Sequence, residues 1–295
     1  MNISITVFTS TYNRGYILNN LYKSLQKQTF RSFEWIIIDD GSTDNTKDII
    51  SSWKKEKNDF EIRYLYTKNR GKHCAINSGV KLANSRLFFI VDSDDYLSEN
   101  ALERILYWEK TISDKQGFAG VSGNKCYFDK TLIGETFTGK YLDCTSLERT
   151  KFHIQGDKAE AYYTDILKKY PFPEFEGENF CSEALVWDRM SKDGYKIRYF
   201  NESIYFAEYR EDGLSFNLKN KYLSNPKGTM LFFLERSLNN KNNFKEFLKN
   251  ASFYYLYGNR FGYSYHELQQ NLDINIVKSF MCIFSAFLRK NLKSQ

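Results

Sequence analysis

Four short apolar runs, spaced by segments of helical periodicity, constrain this chain more than anything else in it. They are "ISITVF" (3–8), "FEWIII" (33–38), "EIRYLYT" (61–67) and "LFFIV" (87–91). Each has the length of a strand rather than of a buried helix. Between them, Leu18, Leu21, Tyr22 and Leu25 recur at helical spacing, residues 45–57 follow the candidate caps Thr43 and Asp44, and residues 71–83 form a third helical stretch. "FEWIII" is nearly continuous in apolar residues, the mark of a strand buried on both faces. Strands alternating with helices at this interval predict parallel βαβ units, hence an α/β fold with a mostly parallel central sheet flanked by helices. With 295 residues the chain can bury a sizeable core.

Further along the pattern loosens. "GFAGVSGNKCYFD" reads as paired strands, residues 157–169 as a helix ending before "YPFPEF", residues 182–193 as another helix, and "KIRYF" and "SIYFAEY" as two strands. Beyond residue 215 the chain is helical and basic. Residues 1–215 carry 30 Lys and Arg against 32 Asp and Glu, whereas residues 216–295 carry 12 against 4, so the net charge of +6 belongs to the last quarter. That asymmetry points to a near-neutral body with a basic appendage facing something anionic. Within the appendage, Ile276, Val277, Phe280, Met281, Phe284, Phe287 and Leu288 fall on one helical face, with Lys278, Arg289 and Lys290 outside it. A basic amphipathic helix of this kind fits a peripheral membrane contact through residues 216–295, or packing on the body or a second subunit.

The five cysteines are an odd number, widely spaced and without a CxxC pair, which reads as reduced core thiols in a cytoplasmic protein. The N-terminus enters an apolar run without a basic segment, so no signal peptide is expected, and no stretch reaches the ~18 consecutive apolar residues of a transmembrane helix.

In open α/β sheets ligands bind beyond the carboxyl ends of the strands. Two acidic clusters fall at such ends: Asp39 with Asp40, and Asp92, Asp94 and Asp95 around Ser93. A D-x-D arrangement there suits a hard divalent cation, Mn²⁺ or Mg²⁺, shared with substrate phosphates. Asp94 is the better metal ligand and Asp92, nearer the sheet, is placed for a ribose hydroxyl. Asp40 offers an acceptor for the imide N–H of uracil, Tyr12 a ring to stack on the base, and Arg70 and Lys72 cations to balance carboxylates or diphosphate.

Taken in order, "STYNR", "IIIDDGSTDNT", "NRGKHCAINSGVKLA" and "LFFIVDSDDYL" resemble the nucleotide-sugar-binding half of family 2 glycosyltransferases. The resemblance implies the GT-A fold, a Rossmann-like α/β arrangement. It places a nucleotide-sugar half at residues 1–105, an acceptor half of the same domain at 106–215 and a helical C-terminal extension at 216–295. It also implies Thr9, Tyr12 and Arg14 around the nucleotide, Asp40 on uracil, Lys72 and Asn77 lining the site, Asp92 and Ser93 by the donor and Asp94 on the metal. "YREDGLS" further implies Arg210 near the diphosphate. The family's catalytic acidic pair falls in "GENFCSEALVWDR", where Glu183 or Glu178 is the base and Ser182 stands at the first position if Glu183 is chosen. A second departure is Ala75-Ile76-Asn77, where the family commonly has Ala-Arg-Asn.

The implied reaction is inverting transfer of a sugar from a UDP-sugar to a hydroxyl of a glycan or lipid-linked glycan, in bacterial-type surface polysaccharide or glycoconjugate synthesis at the inner face of the plasma membrane. No nucleic-acid partner is expected. Two other readings remain. One is a metal-dependent phosphohydrolase, although those that use the first Asp of the motif as nucleophile generally carry it on the first strand. The other is a nucleotide-sugar-binding protein that has lost its base, which Ser182 keeps open.

Overall fold

The computed structural model describes residues 3–208, 210 and 217–292. By contact the chain divides into two units, one of residues 1–172 and 186–211, the other of residues 173–185 and 212–295.

The first unit is built on a nine-stranded mixed sheet. Its elements run β1 (Ile5–Thr11), α1 (Asn19–Gln26), β2 (Phe33–Asp39), α2 (Thr46–Trp53), β3 (Glu61–Tyr66), α3 (Lys72–Leu82), β4 (Leu87–Ile90), β5 (Tyr96–Leu97), α4 (Ala101–Lys110), β6 (Phe118–Tyr127), β7 (Tyr141–Cys144), β8 (Lys158–Tyr163), α5 (Thr164–Lys169), α6 (Ala184–Lys192, whose first two residues fall in the second unit) and β9 (Lys196–Ala207). The order across the sheet is β3-β2-β1-β4-β8-β6-β9-β5, with β7 on β9. The first four strands are parallel, as the alternating pattern requires. β8 then enters antiparallel between β4 and β6.

The apolar runs explain the layering. Every residue of β2 is buried, because helices cover both faces of the sheet. On one face Trp35 lies in a stack with Tyr22 and Trp53, and its indole N–H donates to Thr9 Oγ1 at 3.0 Å. On the other, Phe8 stacks on Phe88 against α3, where a Cβ at Gly79 would meet the Phe8 ring at 2.3 Å. The close approach of helix to sheet therefore depends on that glycine.

Three expectations change. The pair of strands expected over residues 117–129 is a single strand, β6, and the two expected across 196–208 are the single strand β9. Register shifts between them at Ser122/Asn124 and Asn124/Lys125 interrupt the pairing without ending either strand. Residues 158–163, expected in a helix, form β8, and only Thr164–Lys169 is helical. β1 also runs three residues past Phe8, to Thr11.

The second unit contains α7 (Leu218–Ser224), α8 (Pro226–Asn239), α9 (Phe244–Arg260), α10 (Tyr265–Leu272) and α11 (Ile276–Leu292). They share an aromatic-rich core that includes Met230, Phe233, Tyr254, Tyr257 and Leu268, joined by Cys181 and Leu185 from residues 173–185. All five cysteines are free and buried. Among the described residues no single helix is long and apolar enough to cross a membrane.

Candidate active site

The loops after β1 and β2 are locked to one another. Asn13, at φ 52°, accepts the Thr43 N–H at 2.8 Å on Oδ1 and donates its own N–H to Ser42 Oγ at 2.8 Å. Asn tolerates this left-handed conformation better than most residues. Asp44, expected as a cap, accepts from Thr46 N and Oγ1 and from Gly15 N. Asp39 accepts from Ser42 N and from the Tyr64 hydroxyl. Asp40 is buried, and its two oxygens accept the Arg70 N–H at 2.8 Å and the Gly71 N–H at 2.7 Å. Burial pushes the Asp40 carboxyl up, against the opposing pull of those two N–H groups. Between them Gly41 sits at φ +90°, where a Cβ would stand 2.8 Å from Asn69 N. The loop after β3 is thus tied to the end of β2 by backbone contacts that a side chain at 41 would block.

The acidic run after β4 is held differently. Asp92 Oδ1 is paired with Lys72 Nζ at 2.6 Å, and Asp94 Oδ2 faces Arg14 Nη1 at 3.9 Å. Asp95 is buried and accepts the Tyr205 hydroxyl proton at 2.6 Å, while the Asp92 N–H donates to that same hydroxyl oxygen at 2.9 Å. Burial acts to raise the Asp92 carboxyl, but Lys72, with Lys125 and Arg14 behind it, brings it below its ordinary value. Asp94 is raised by burial and by the charge of Asp92. Asp95 is pushed up to about 7 by burial and by Asp92, with Lys125 opposing. Three neighbouring carboxylates coexist because each has a different electrostatic environment.

The structure brings Tyr12, Arg14, Asp40, Lys72, Asp92 and Asp94 to the carboxyl ends of β1, β2 and β4 and the loops beside them. Tyr12 is half exposed, as a stacking platform would be. Ser93 is buried within the acidic loop, and Arg70 is exposed beside the backbone that Asp40 holds. The Arg210 guanidinium lies 5.9 Å from the Tyr16 ring centre and 3.7 Å from Glu208. The rest of the "YREDGLS" motif, Tyr209 and residues 211–215, lies outside the described residues.

Three expected site residues have other roles. Thr9 is fully buried and its hydroxyl takes the Trp35 indole proton. Asn77 is turned to Phe172, donating to its carbonyl and accepting from its N–H, both at 2.9 Å, which fixes α3 to the chain after α5. Glu178 accepts the N–H groups of Lys227 and Gly228 at 2.7 and 2.9 Å. It therefore closes the N-terminus of α8, where a carboxylate is stabilised by orphan donors and the helix dipole. Glu183 is half-buried and lies just before α6.

Other charged groups were not visible as motifs. Lys125 of β6 has its ammonium 4.0 Å from the Tyr205 ring centre and acts on Asp92, Asp95 and Glu160 together. Because Phe89 pairs with Ala161, β8 begins where β4 ends, and Glu160 stands there facing Arg149 at 3.9 Å. Burial pushes Glu160 up to about 6 and brings buried Lys158 down to about 8. Lys158 and Glu160 alternate along β8, but their signal was lost when residues 157–169 read as a helix.

Among the described residues no group of three or more His, Cys, Asp or Glu side chains converges as a metal-binding set. The donors nonetheless fit a cation shared with a substrate. Asp92 is taken by Lys72 and Asp95 by Tyr205, whereas among the described residues Asp94 is paired at the long distance to Arg14 and carries a carboxyl raised by its surroundings. One or two carboxylates completed by water and phosphate oxygens are the usual Mg²⁺ arrangement.

Comparison with known proteins agrees with this geometry. Residues 6–114 match the family described as Glycosyl transferase family 2. Glycosyltransferase GlyG of Streptococcus pneumoniae is 36% identical over 228 residues, 72% of this chain and 73% of the relative. GalNAc(5)-diNAcBac-PP-undecaprenol beta-1,3-glucosyltransferase of Campylobacter jejuni is 28% identical over 225 residues, 74% of this chain and 69% of the relative. The crystal structure of S. aureus TarS 1-349 in complex with UDP-GlcNAc superposes with a TM-score of 0.65 at 20% identity, covering 96% of this chain and 79% of that one. A mannosyltransferase from Pyrobaculum calidifontis in complex with GDP-Man and Mn²⁺ gives 0.57 at 15% identity, covering all of this chain and 88% of that one. These structures share the GT-A arrangement that the sequence implied. By fold and by sequence, the chain belongs to glycosyltransferase family 2.

Proposed function

We propose that this protein is an inverting glycosyltransferase that moves a hexosyl group from a UDP-sugar to a hydroxyl of a glycan or lipid-linked glycan, in synthesis of a bacterial-type surface polysaccharide or glycoconjugate. The observation that carries the reading is the pairing of Asp92 and Asp94 with the mobile-headed cations Lys72 and Arg14, beside a rim held by backbone hydrogen bonds. Side-chain cations of this kind are exchangeable partners: on donor binding they can turn from carboxylate to diphosphate. The donor class is supported by the UDP-GlcNAc complex of the TarS neighbour, and the acceptor class by the polyprenol-linked substrate in the name of the C. jejuni relative.

In this mechanism Tyr12 stacks on the uracil, Asp40 offers a remaining lone pair at its imide edge, Asp92 orients the ribose, and Arg14, Lys72, Arg70 and Arg210 balance the diphosphate. Glu183, half-buried just before α6, takes the proton of the attacking hydroxyl as general base. Glu178 is already committed to α8, which favours Glu183. Mn²⁺ or Mg²⁺, held by Asp94, would offset the charge on the departing diphosphate. The acceptor oxygen forms its bond to the anomeric carbon as the bond to UDP breaks, with no covalent enzyme intermediate. The site works on the cytoplasmic side, where nucleotide-sugars are supplied, with residues 216–295 at the membrane face.

The test is UDP release from a panel of UDP-sugars with Mn²⁺, run beside Asp94→Ala and Glu183→Gln. Release by the wild type and its loss in both variants supports the proposal. UDP binding without turnover or hydrolysis on any acceptor overturns it.

A further inference from the structure

Helix α11 is docked the wrong way round for an ordinary amphipathic helix. Its small residues Ser279, Cys282 and Ala286 are the buried ones. The Ser279 hydroxyl is hydrogen-bonded to the Tyr255 hydroxyl of α9 at 2.7 Å, and Arg289 donates to Ser252 of α9 at 2.8 Å while lying over Phe253. The large residues point away: Ile276, Val277, Phe280, Phe284 and Phe287 are 58–65% exposed, with two further aliphatic side chains beside them above 40%. Helices of soluble proteins normally bury the large apolar stripe. Together these side chains form one apolar strip along the helix, and contiguous exposed apolar surface of this kind marks an interaction site.

Charge identifies what covers this face. The helix has no acidic residue, Lys278 is exposed on its flank, and residues 216–295 hold 12 basic against 4 acidic residues. Tyr265 at the start of α10, about half exposed, packs on Tyr255 of α9, supplying an amphipathic ring of the kind that favours a headgroup region. A second copy of the chain would bring two basic units together, whereas an anionic bilayer answers both the apolar face and the positive charge. At 17 residues the helix is about 25 Å long against a ~30 Å hydrocarbon core, and no single described helix is long and apolar enough to cross a membrane.

We infer that α11 lies in the plane of an anionic bilayer surface, with Phe280, Phe284 and Phe287 below the headgroups, and is the element that anchors this protein at its acceptor's membrane. The biological purpose rests on the lipid-linked acceptor proposed above; the binding itself does not.

The full chain is floated with vesicles of phosphatidylcholine alone and of phosphatidylcholine with phosphatidylglycerol, at low and high salt. The wild type is expected to float with the anionic vesicles and to be released by salt or by their omission. Phe280→Ser combined with Phe284→Ser is expected to cut the bound fraction at least about tenfold, since the apolar burial that sets interfacial affinity is lost. Melting temperature and UDP release with soluble acceptors should stay at wild-type level, because both residues are exposed. A second measurement, Phe284→Trp fluorescence with brominated lipid, should show quenching. Failure of the wild type to float, equal flotation of the double variant, or a dimer in light scattering that the double variant dissolves without any vesicle binding, each overturns the inference. Flotation without UDP release would instead leave the anchor standing and count against the proposed reaction.

Discussion

Two acidic clusters stand at the ends of the strands that flank β1, alike in sequence and unlike in construction. At β2, Asp39 and Asp40 are satisfied by short hydrogen bonds, three of them from backbone N–H groups, that fix the surrounding loops. At β4, Asp92 and Asp94 face the ends of two long cationic side chains. Backbone donors cannot leave without unfolding their loop. Lysine and arginine heads can swing away, so the second cluster can exchange partners while the first remains a frame.

The largest effect expected from that contrast is on turnover. Asp94→Ala should lower UDP release about 100-fold or more, some 2.7 kcal/mol in barrier, while shifting the melting temperature little, since the carboxylate it removes is repelled by Asp92. Asp40→Ala should differ in costing stability: two N–H groups lose their acceptor, at about 2–3 kcal/mol in a denaturant melt. If Asp40→Ala leaves stability intact and Asp94→Ala unfolds the protein, the distinction between frame and exchange site is wrong.

Tyr205→Phe sharpens the comparison from inside the second cluster. It removes one hydroxyl that serves both Asp95 and the Asp92 N–H, and should cost about 1–2 kcal/mol in stability, without the loss of metal-dependent donor binding expected of Asp94→Ala. The smallest effect concerns Glu160. Its carboxyl is raised to about 6 from an ordinary 4.5, so the folded state holds the proton more tightly than the unfolded chain does. The associated stability is complete below pH 4.5 and lost as pH rises through 6. Glu160→Gln should therefore be relatively more stable than wild type above pH 6, by about 1 kcal/mol for a partly screened group, and the gap should close in melts at lower pH.

Legibility in the sequence followed the range of the forces involved. The parallel half of the sheet was readable because continuous apolar runs such as "FEWIII" leave few alternatives to a strand buried on both faces. "KAEAYY" misled because Lys, Ala and Glu are good helix formers, and only its pairing between β4 and β6 makes it β8. "KIRYF" and "SIYFAEY" read as two strands, but Asn201 between them is held in β9 by Asn124 and by the carbonyls of Phe137 and Gly139, partners that no local pattern announces. The carboxylates of the site were visible because they crowd together in the chain. Lys125 and Tyr205, which help make that crowding tolerable, come from strands 30 and more residues away and carry no motif. The bonds of Thr9 to Trp35 and of Asn77 to Phe172 were likewise hidden, since a sequence pattern does not reveal which way a side chain faces.

The buried thiols give the molecule its own reporters of local opening. Cys282 is fully buried on the docked face of α11, and Cys144 lies at the end of β7, with thiols pushed up to about 11 and about 12 by burial. Only the thiolate alkylates readily, so each cysteine stays silent until its surroundings part. Alkylation of Cys282 would time the lifting of α11 from α9, and alkylation of Cys144 the fraying of β7 from β9. Coincident rates would reveal one cooperative structure and separate rates two, a measurement that needs no engineered label.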